Sequence, residues 1–287
     1  PTLAYLAGWT YWVVHVPYLA QKPQAVLVSL GWAVFQDGST IKGIDSKIIQ
    51  LVCLVVFLFF VWIASRGVNS LGKIGTIAGT AMFVMSILYI ILMLTAPAIT
   101  GTSIASPNMT SIKTYIPKFD FAYFTTIAML VFSVGGAEKI SPYVNNMKDS
   151  KKGFSKGMIA LAIMVAVTAL LGSVAMGMMF DPEVINASAS VKQSYISNGS
   201  YWAFQKLGNY YGIGNLLLII YALATAVGQF STLVISIDAP LRMLLEDENA
   251  AKFVPKGLLK QNENGAYVNG IKMVAVLSGG IILAQMT

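Results

Sequence analysis

Long apolar stretches separated by short polar segments dominate the chain. The clearest covers Ile48–Ala64, seventeen residues without a charged side chain, with Arg66 close behind it. A helix of about 20 apolar residues crosses the hydrocarbon core of a bilayer. The pattern therefore predicts membrane-spanning helices and no water-soluble core. Further largely apolar stretches cover Ile74–Ala96, Phe121–Met147, Gly157–Phe180, Ile213–Pro240 and Val268–Thr287.

The first apolar stretch, Leu3–Phe35, is too long for one helix perpendicular to the membrane. We expect it to tilt, to bend or to begin outside the membrane. Pro17 and Pro23 are candidate bend points, because proline removes a backbone donor and clashes with the preceding turn. With this stretch, the pattern predicts seven spans.

Composition supports the membrane assignment and narrows the chemistry. Hydrophobic residues make up 56% of the chain, charged residues only 11%, and the mean hydropathy is +0.69. The net charge is +7, and the excess basic residues are expected to lie in loops, where they set the orientation of the protein in the membrane and do not bind nucleic acid. A single cysteine, Cys53, excludes an intrachain disulfide, and a single histidine, His15, excludes a multi-histidine site. We therefore expect no metal and no cofactor.

Lysine and arginine are unevenly divided between the two sets of alternate loops. One set contains eleven of these residues and the other six, so the first is predicted to be cytoplasmic. The richer set comprises Arg66, Lys73, Lys148, Lys151, Lys152, Lys156, Arg242, Lys252, Lys256, Lys260 and Lys272. The poorer set comprises Lys42, Lys47, Lys113, Lys118, Lys192 and Lys206. The polar Asp181–Tyr211 segment is then predicted to be a long external loop.

Pro1 and Thr287 both lie within apolar stretches. We expect residues 1–287 to form a single transmembrane domain that belongs to a longer protein, with further helices on both sides.

The span Phe121–Met147 contains features that an ordinary lipid-facing helix avoids. Gly135 and Gly136 are adjacent, Glu138 follows, and Pro142 comes soon after. Glycine destabilises a helix interior by about 1 kcal/mol relative to alanine, and an intramembrane carboxylate is costly unless it faces protein or water. We expect a discontinuous helix that is unwound near 133–136, with Glu138 beginning its second half.

An unwound segment at membrane depth must line a cavity, because its free backbone groups need partners. The second half-helix presents a positive N-terminal end for a carboxylate, and the unwound carbonyls suit an ammonium. Together they match both ends of an amino acid. The alternative is a glycine-mediated helix crossing, with Glu138 neutral or paired to Lys139 or to another helix.

Two sequence motifs resemble a known family. The stretch Gly136–Glu138, with Phe132 before it and Asn145–Ser150 and Gly153–Met158 after it, resembles the sixth helix of the amino acid–polyamine–organocation superfamily. That helix combines an aromatic residue, G-x-E and an "N-x-x-K-[ND]-P"-like turn. Ser150 stands where the family often has proline.

The second motif lies between the last two predicted spans. Ser236–Leu244, Phe253–Pro255 and Asn264–Asn269 look like "G-P-S-R-M-L … F-x-P … N-x-x-G-x-P-x-N" between helices eight and nine of the glutamate/γ-aminobutyrate antiporter branch. Leu241 and Val268 replace the expected serine and proline.

The resemblance covers essentially the whole chain, as helices three to nine of about twelve. It implies an all-α integral membrane protein with the five-plus-five inverted-repeat fold of the LeuT type, here incomplete, with about seven helices of which the fourth is discontinuous. It also implies a secondary transporter of amino acids or their amine derivatives, acting by antiport or proton-coupled transport in a bacterial plasma membrane.

The resemblance also implies a substrate site. Phe132 would line or gate the pocket, Glu138 would couple transport through protonation or anchor the broken helix, and Phe230 lies where the eighth helix places an aromatic residue near substrate. The substrate-binding stretch comprises Phe132, Ser133, Val134, Gly135, Gly136, Ala137 and Glu138.

Three ionisable residues outside this stretch are candidates on their own. Lys22 has apolar sequence on both sides, and we expect it to contact a substrate carboxylate, pair with Glu138, substitute for a coupling cation or snorkel to the surface. Asp238 precedes Arg242 by four residues, which predicts a helical ion pair or gate latch. His15 is expected to be a packed or interfacial residue and not a proton relay.

A seven-span receptor or sensor without transport is the alternative function. It offers no reason for the Gly-Gly-x-Glu break. An enzyme is not expected, because no nucleophile–base pair or metal-ligand cluster is present in the sequence. The sequence leaves the particular amino acid or amine, the coupling ion and the oligomeric state open.

Overall fold

The structure is a computed structural model. It describes residues 2–106, 109, 111–117, 119–121, 123, 124, 127, 135–146, 149–247 and 251–285. The side chains of Thr2, Ala4, Lys42, Val68, Ile112, Tyr115, Ala137, Glu138, Asn145, Asn146 and Lys151 lie outside this description. Across the described residues the secondary structure is helical, without strands, which confirms the all-α prediction.

Outside the Phe121–Met147 stretch, each predicted apolar stretch corresponds to a long helix. Among the described residues, the α-helices are α1 (Thr2–Phe35), α2 (Ser39–Lys42), α3 (Ser46–Ala64), α4 (Val68–Thr100), α5 (Ser150–Met179), α6 (Pro182–Ile185), α7 (Ala189–Tyr210), α8 (Leu216–Leu245) and α9 (Val268–Ala284). Two 3₁₀ helices cover Ile112–Tyr115 and Ala137–Asn146. Within the described residues, α3, α4, α5 and α8 are each long and apolar enough to cross a membrane. The membrane prediction is therefore confirmed.

The chain divides into two compact units. The first comprises residues 1–82, 139–143 and 222–287, and the second comprises residues 83–138 and 144–221.

The first unit is built around helices α1, α3 and α9, with α8 from Ala222 onward. Its core contains Phe57 from α3, Leu241 from α8 and Ile271 from α9, all at 1% exposure or less. Burial of such side chains contributes roughly 1.5–3 kcal/mol each. Ser278 in α9 donates a hydrogen bond to the carbonyl oxygen of Val16 in α1 (3.0 Å), which ties the two helices together within this core.

Helix α1 is continuous over 34 residues and includes both Pro17 and Pro23. The two prolines therefore do not end the helix, although each removes one backbone donor. A helix of this length extends about 50 Å, well beyond the roughly 30 Å hydrocarbon core. The expectation that this stretch tilts, bends or projects from the membrane stays open.

The loop before α9 folds around one asparagine of the first unit. The Asn262 side-chain oxygen accepts hydrogen bonds from the backbone N–H groups of Asn264 (3.1 Å) and Ala266 (2.9 Å), and its amide donates to the Ser65 carbonyl (2.9 Å). Gly67, beside Ser65, has φ +86°, and a Cβ there would overlap the Asn264 carbonyl oxygen. Glycine is therefore required where this loop meets the α3–α4 turn.

The second unit packs the end of α4 against α5 and α7. The Tyr89 hydroxyl donates to the Met176 sulfur (3.2 Å), and the Tyr89 ring lies 5.3 Å from the Phe204 ring. Tyr211, just after α7, donates from its hydroxyl to the Leu92 carbonyl (2.7 Å). These contacts give the unit its own internal core.

The prediction of a long loop over Asp181–Tyr211 was wrong. Most of this segment is helix α7, which Ser188 caps by accepting a hydrogen bond from the Val191 N–H (3.2 Å). Tyr201, Phe204 and Leu207 are buried at helical spacing. The polar residues that suggested a loop occupy the other positions of an amphipathic helix.

Candidate functional site

The predicted break in the Phe121–Met147 span is partly visible. Gly136 has φ +110°, a left-handed conformation that L side chains rarely adopt, and the chain then continues as a ten-residue 3₁₀ helix through Pro142. Runs of 3₁₀ helix this long are uncommon and often mark a hinge. Phe132, Ser133, Val134 and the side chains of Ala137 and Glu138 lie outside the described residues. Unwinding near 133–134 stays a prediction.

Asp238 and Arg242 form the predicted ion pair, deep inside the first unit. The Arg242 Nε donates to Asp238 Oδ2 at 2.9 Å, and the two side chains are 5% and 0% exposed. The i,i+4 spacing on α8 brings them together, as the sequence indicated. Because the pair is buried, each charge depends on its partner. Removing one partner of a buried pair typically lowers the stability of a protein by about 3–5 kcal/mol, because the other charge stays unpaired.

Two further chain segments and Glu246, the residue after α8, converge on this pair. The Tyr143 hydroxyl, from the 3₁₀ helix, donates to Asp238 Oδ2 (2.6 Å). Arg242 also donates from Nη1 to Glu246 Oε1 (2.7 Å) and from Nη2 to the Gly265 carbonyl (2.6 Å). The guanidinium thus joins α8 to the loop before α9. We call Asp238, Arg242, Glu246, Tyr143 and Gly265 the Arg242 cluster.

Tyr267 lies beside this cluster and contacts two of its members. Its hydroxyl lies 3.4 Å from Glu246 Oε1, and the Arg242 guanidinium lies 5.4 Å from its ring centroid. Burial, followed by the neighbouring Glu246 carboxylate, raises the pKa of Tyr267. The phenol therefore stays protonated at neutral pH and donates the hydrogen bond.

Lys22 reaches across the first unit to α8. Its ammonium donates to the side-chain oxygen of Gln229 (3.1 Å) and lies 4.6 Å from the Tyr18 ring centroid. Lys139 Nζ lies 5.0 Å from the same ring centroid and donates to the Ser236 hydroxyl (2.9 Å). Two cations therefore share one aromatic ring, an arrangement that stabilises ammonium groups through the ring quadrupole.

A cavity of about 320 Å³ lies between α4 and α8 of the first unit. Small residues on both helices keep it open, and Gln229 contributes to its wall. Thr225 also lines it, is 9% exposed, and its hydroxyl has no hydrogen-bond partner among the described residues. The lining comprises Gly75, Ala78, Gly79, Met82, Thr225, Gly228, Gln229, Ser231, Thr232 and Ile235.

Two predicted residues are engaged in packing. The Phe230 ring stacks on Phe60 at 4.6 Å and packs against the core of the first unit, whereas its neighbours Gln229 and Ser231 line the cavity. A substrate role for Phe230 stays a prediction.

The His15 Nδ1 lies 2.7 Å from the Tyr11 carbonyl oxygen, and its ring lies 4.3 Å from the Tyr11 ring. The structure favours the packed interpretation.

The sequence did not predict several residues of the Arg242 cluster, nor the partner of Lys22. Glu246 follows Arg242 at the same i,i+4 spacing that identified Asp238, so this ion pair could have been predicted from the sequence. Gln229 and Tyr143 carry no comparable signal, because their partners Lys22 and Asp238 are 207 and 95 residues away in the chain.

Comparison with known proteins now identifies the family. The family model described as "Amino acid permease" matches residues 1–287. The chain belongs to the amino acid permease family. The permease chain is 51% identical over 285 residues to "Aspartate/glutamate permease AcaP" of Lactococcus lactis subsp. cremoris. The aligned region covers 99% of this chain and 57% of that protein.

More distant relatives agree with this family. The chain is 20% identical over 234 residues to "Inner membrane transporter YjeM" of Salmonella typhimurium, covering 79% of this chain and 46% of that protein. The chain thus spans about half the length of the curated relatives it matches. No solved structure matches it.

Family membership confirms three predictions. The chain is a member of the superfamily its motifs resemble, and permeases are transporters and not enzymes. With its apolar helices and bacterial relatives, it is a multi-pass protein of the bacterial plasma membrane. Nothing in these similarities supports the receptor alternative.

Proposed function

We propose that this protein is a secondary transporter that moves amino acids or their amine derivatives across the bacterial plasma membrane by alternating access. The observation that carries the proposal is the amino acid permease match over all 287 residues. The name of the Lactococcus lactis relative makes aspartate and glutamate the first substrates to test. Exchange and proton coupling are both compatible with the proposal.

The glycine break is proposed to hold the main-chain groups of the substrate. Gly136, at φ +110°, turns the backbone where the 3₁₀ helix begins, and unwound backbone offers both donors and acceptors. Phe132 is proposed to gate this site, with Ser133, Val134, Gly135 and Ala137 forming its backbone.

The Arg242 cluster is proposed to be a latch on the cytoplasmic side. It ties residue 143 of the 3₁₀ helix and residue 265 of the loop to the end of α8 within the first unit. A latch must hold one state of the transporter and release in the other, and hydrogen-bonded ion pairs do this because they break as a group. Asp238, predicted as a gating residue, is its central acceptor.

Flux through a membrane tests the proposal directly. Reconstituted in proteoliposomes loaded with unlabelled amino acid, the full-length protein should accumulate the same labelled amino acid by counterflow. A screen of amino acids and their decarboxylated amines identifies the substrate. Absence of flux for every compound, with binding retained, would instead favour a sensor.

Glu138 provides a sharper test of coupling. We predict that Glu138→Gln abolishes exchange or removes its pH dependence, because glutamine keeps the size of the side chain and loses the titrating carboxyl. Glu183→Gln, which alters an exposed carboxylate at the start of α6, serves as the matched control. Wild-type uptake by Glu138→Gln at every pH would exclude this role.

A further inference from the structure

Lys22 is a partly buried cation whose described partners are neutral. Its ammonium is held by the Gln229 oxygen at 3.1 Å and by the Tyr18 ring at 4.6 Å, and neither group carries a negative charge. Within the described residues, both ion pairs belong to Arg242, so no described carboxylate neutralises Lys22.

Such an arrangement is costly without an anion nearby. A partly buried lysine loses much of its hydration, and a neutral hydrogen bond or an aromatic ring replaces only part of it. Lys139 Nζ lies 5.0 Å from the centroid of the same Tyr18 ring. A mobile carboxylate that enters this region would therefore be bound strongly.

The cavity between α4 and α8 provides a place for that carboxylate. Gln229 belongs both to the cavity wall and to the hydrogen bond with Lys22, so the ammonium lies one hydrogen bond from the cavity. The volume of about 320 Å³ is at the small end of ligand pockets, the range for a compound of amino acid size.

We propose that Lys22, held by Gln229, binds the side-chain carboxylate of a dicarboxylic amino acid and thereby selects such substrates over their amides. This inference rests on the proposed transport function. A dicarboxylic amino acid carries one more carboxylate than it has ammonium groups, and Lys22 supplies the matching positive charge. The Gln229 amide, whose N–H groups are donors, completes the recognition of the carboxylate.

The test compares acids with amides of nearly the same shape. Proteoliposomes containing the full-length protein take up labelled glutamate, while unlabelled aspartate, asparagine or glutamine competes. In the wild type, the acids should compete at least tenfold better than the amides. In Lys22→Gln this preference should fall by about tenfold, because a charge-assisted hydrogen bond is lost.

Two variants control for the change itself. Lys47→Gln removes the same charge from an exposed position in the first turn of α3 and should keep the wild-type preference. Lys22→Arg retains the charge and should keep much of it. Ligand-dependent thermal stabilisation of each purified variant by glutamate and by glutamine supplies a second readout that needs no transport.

The outcomes separate the two proposals. An unchanged ratio of acid to amide in Lys22→Gln, or a wild type that prefers amides or amines, overturns the role of Lys22. If the wild type transports no amino acid, the transport function fails. The glutamate-against-glutamine stabilisation of wild type and Lys22→Gln then still decides whether Lys22 binds the carboxylate.

Discussion

Arg242 shows how one buried charge is accommodated in this protein. The residue is 4% exposed, yet three parts of its guanidinium donate to Asp238, Glu246 and the Gly265 carbonyl. Five donors in a fixed planar fork make arginine suited to such convergence, whereas lysine offers a single point charge. The identity of this residue is therefore tightly constrained by its surroundings.

Gly136 is constrained by its backbone alone. No described atom would meet a Cβ there, but φ is +110°. We predict that Gly136→Ala lowers stability by about 1–3 kcal/mol, because the strain of this conformation applies whatever the available space. Thermal unfolding of the purified protein in detergent measures the effect.

Gly72→Ala is the matched control for this prediction. Gly72 lies within α4, also has open space around it, and does not have a positive φ. Alanine should be neutral or slightly stabilising at that position, since it favours the helix. Equal unfolding temperatures for the two variants would show that residue 136 carries no backbone strain.

At the scale of elements, hydrogen bonds from Lys139 to Ser236 and from Tyr143 to Asp238 join the 3₁₀ helix to α8. The Tyr143 hydroxyl donates to Asp238 Oδ2 at 2.6 Å, while Asp238 Oδ1 is buried without a partner in the described part of the chain. The carboxylate therefore depends on Tyr143 and Arg242 together. Its loss of either donor should loosen the attachment of the 3₁₀ helix.

We predict that Tyr143→Phe destabilises the protein by about 1–3 kcal/mol, because a buried carboxylate loses one of its two donors. Thermal unfolding gives the size of the effect. Tyr5→Phe is the control, since the Tyr5 hydroxyl makes no hydrogen bond to the described residues. If both variants unfold at the same temperature, the Tyr143 hydroxyl contributes nothing to the latch.

The elements themselves were largely predictable from the apolar pattern. The last span was predicted to begin at Val268, and α9 begins at that residue. α7 was missed because polar residues cover its exposed face, so the 22-residue helix resembled a loop. Local spacing identified Asp238 with Arg242. Contacts such as Lys22 with Gln229 depend on how distant helices pack, and one sequence contains no direct record of that.

At the scale of the whole molecule, the charge distribution predicts which loops face the cytoplasm. The eleven-to-six division of Lys and Arg predicts that the α8–α9 loop lies inside and α7 outside. The Arg242 cluster includes a residue of that loop, so its proposed role as a cytoplasmic latch depends on this orientation.

Side-specific labelling tests the orientation. We predict that a membrane-impermeant maleimide labels Lys192→Cys in intact cells, whereas Lys256→Cys reacts only after permeabilisation. Both positions are exposed, and native Cys53 is 1% exposed, so the background is expected to be low. Labelling of Lys256→Cys in intact cells would show that the protein has the opposite orientation in the membrane.

The contact between Gly67 and the loop around Asn262 also bears on the construction of chimeric permeases. The two partners lie almost two hundred residues apart, but a side chain at position 67 would overlap the Asn264 carbonyl, and Asn262 donates to Ser65. Crossover points placed between them combine a turn from one parent with a loop from another. Functional hybrids are therefore expected when both parents have glycine and asparagine at these positions, or when the two segments are exchanged together.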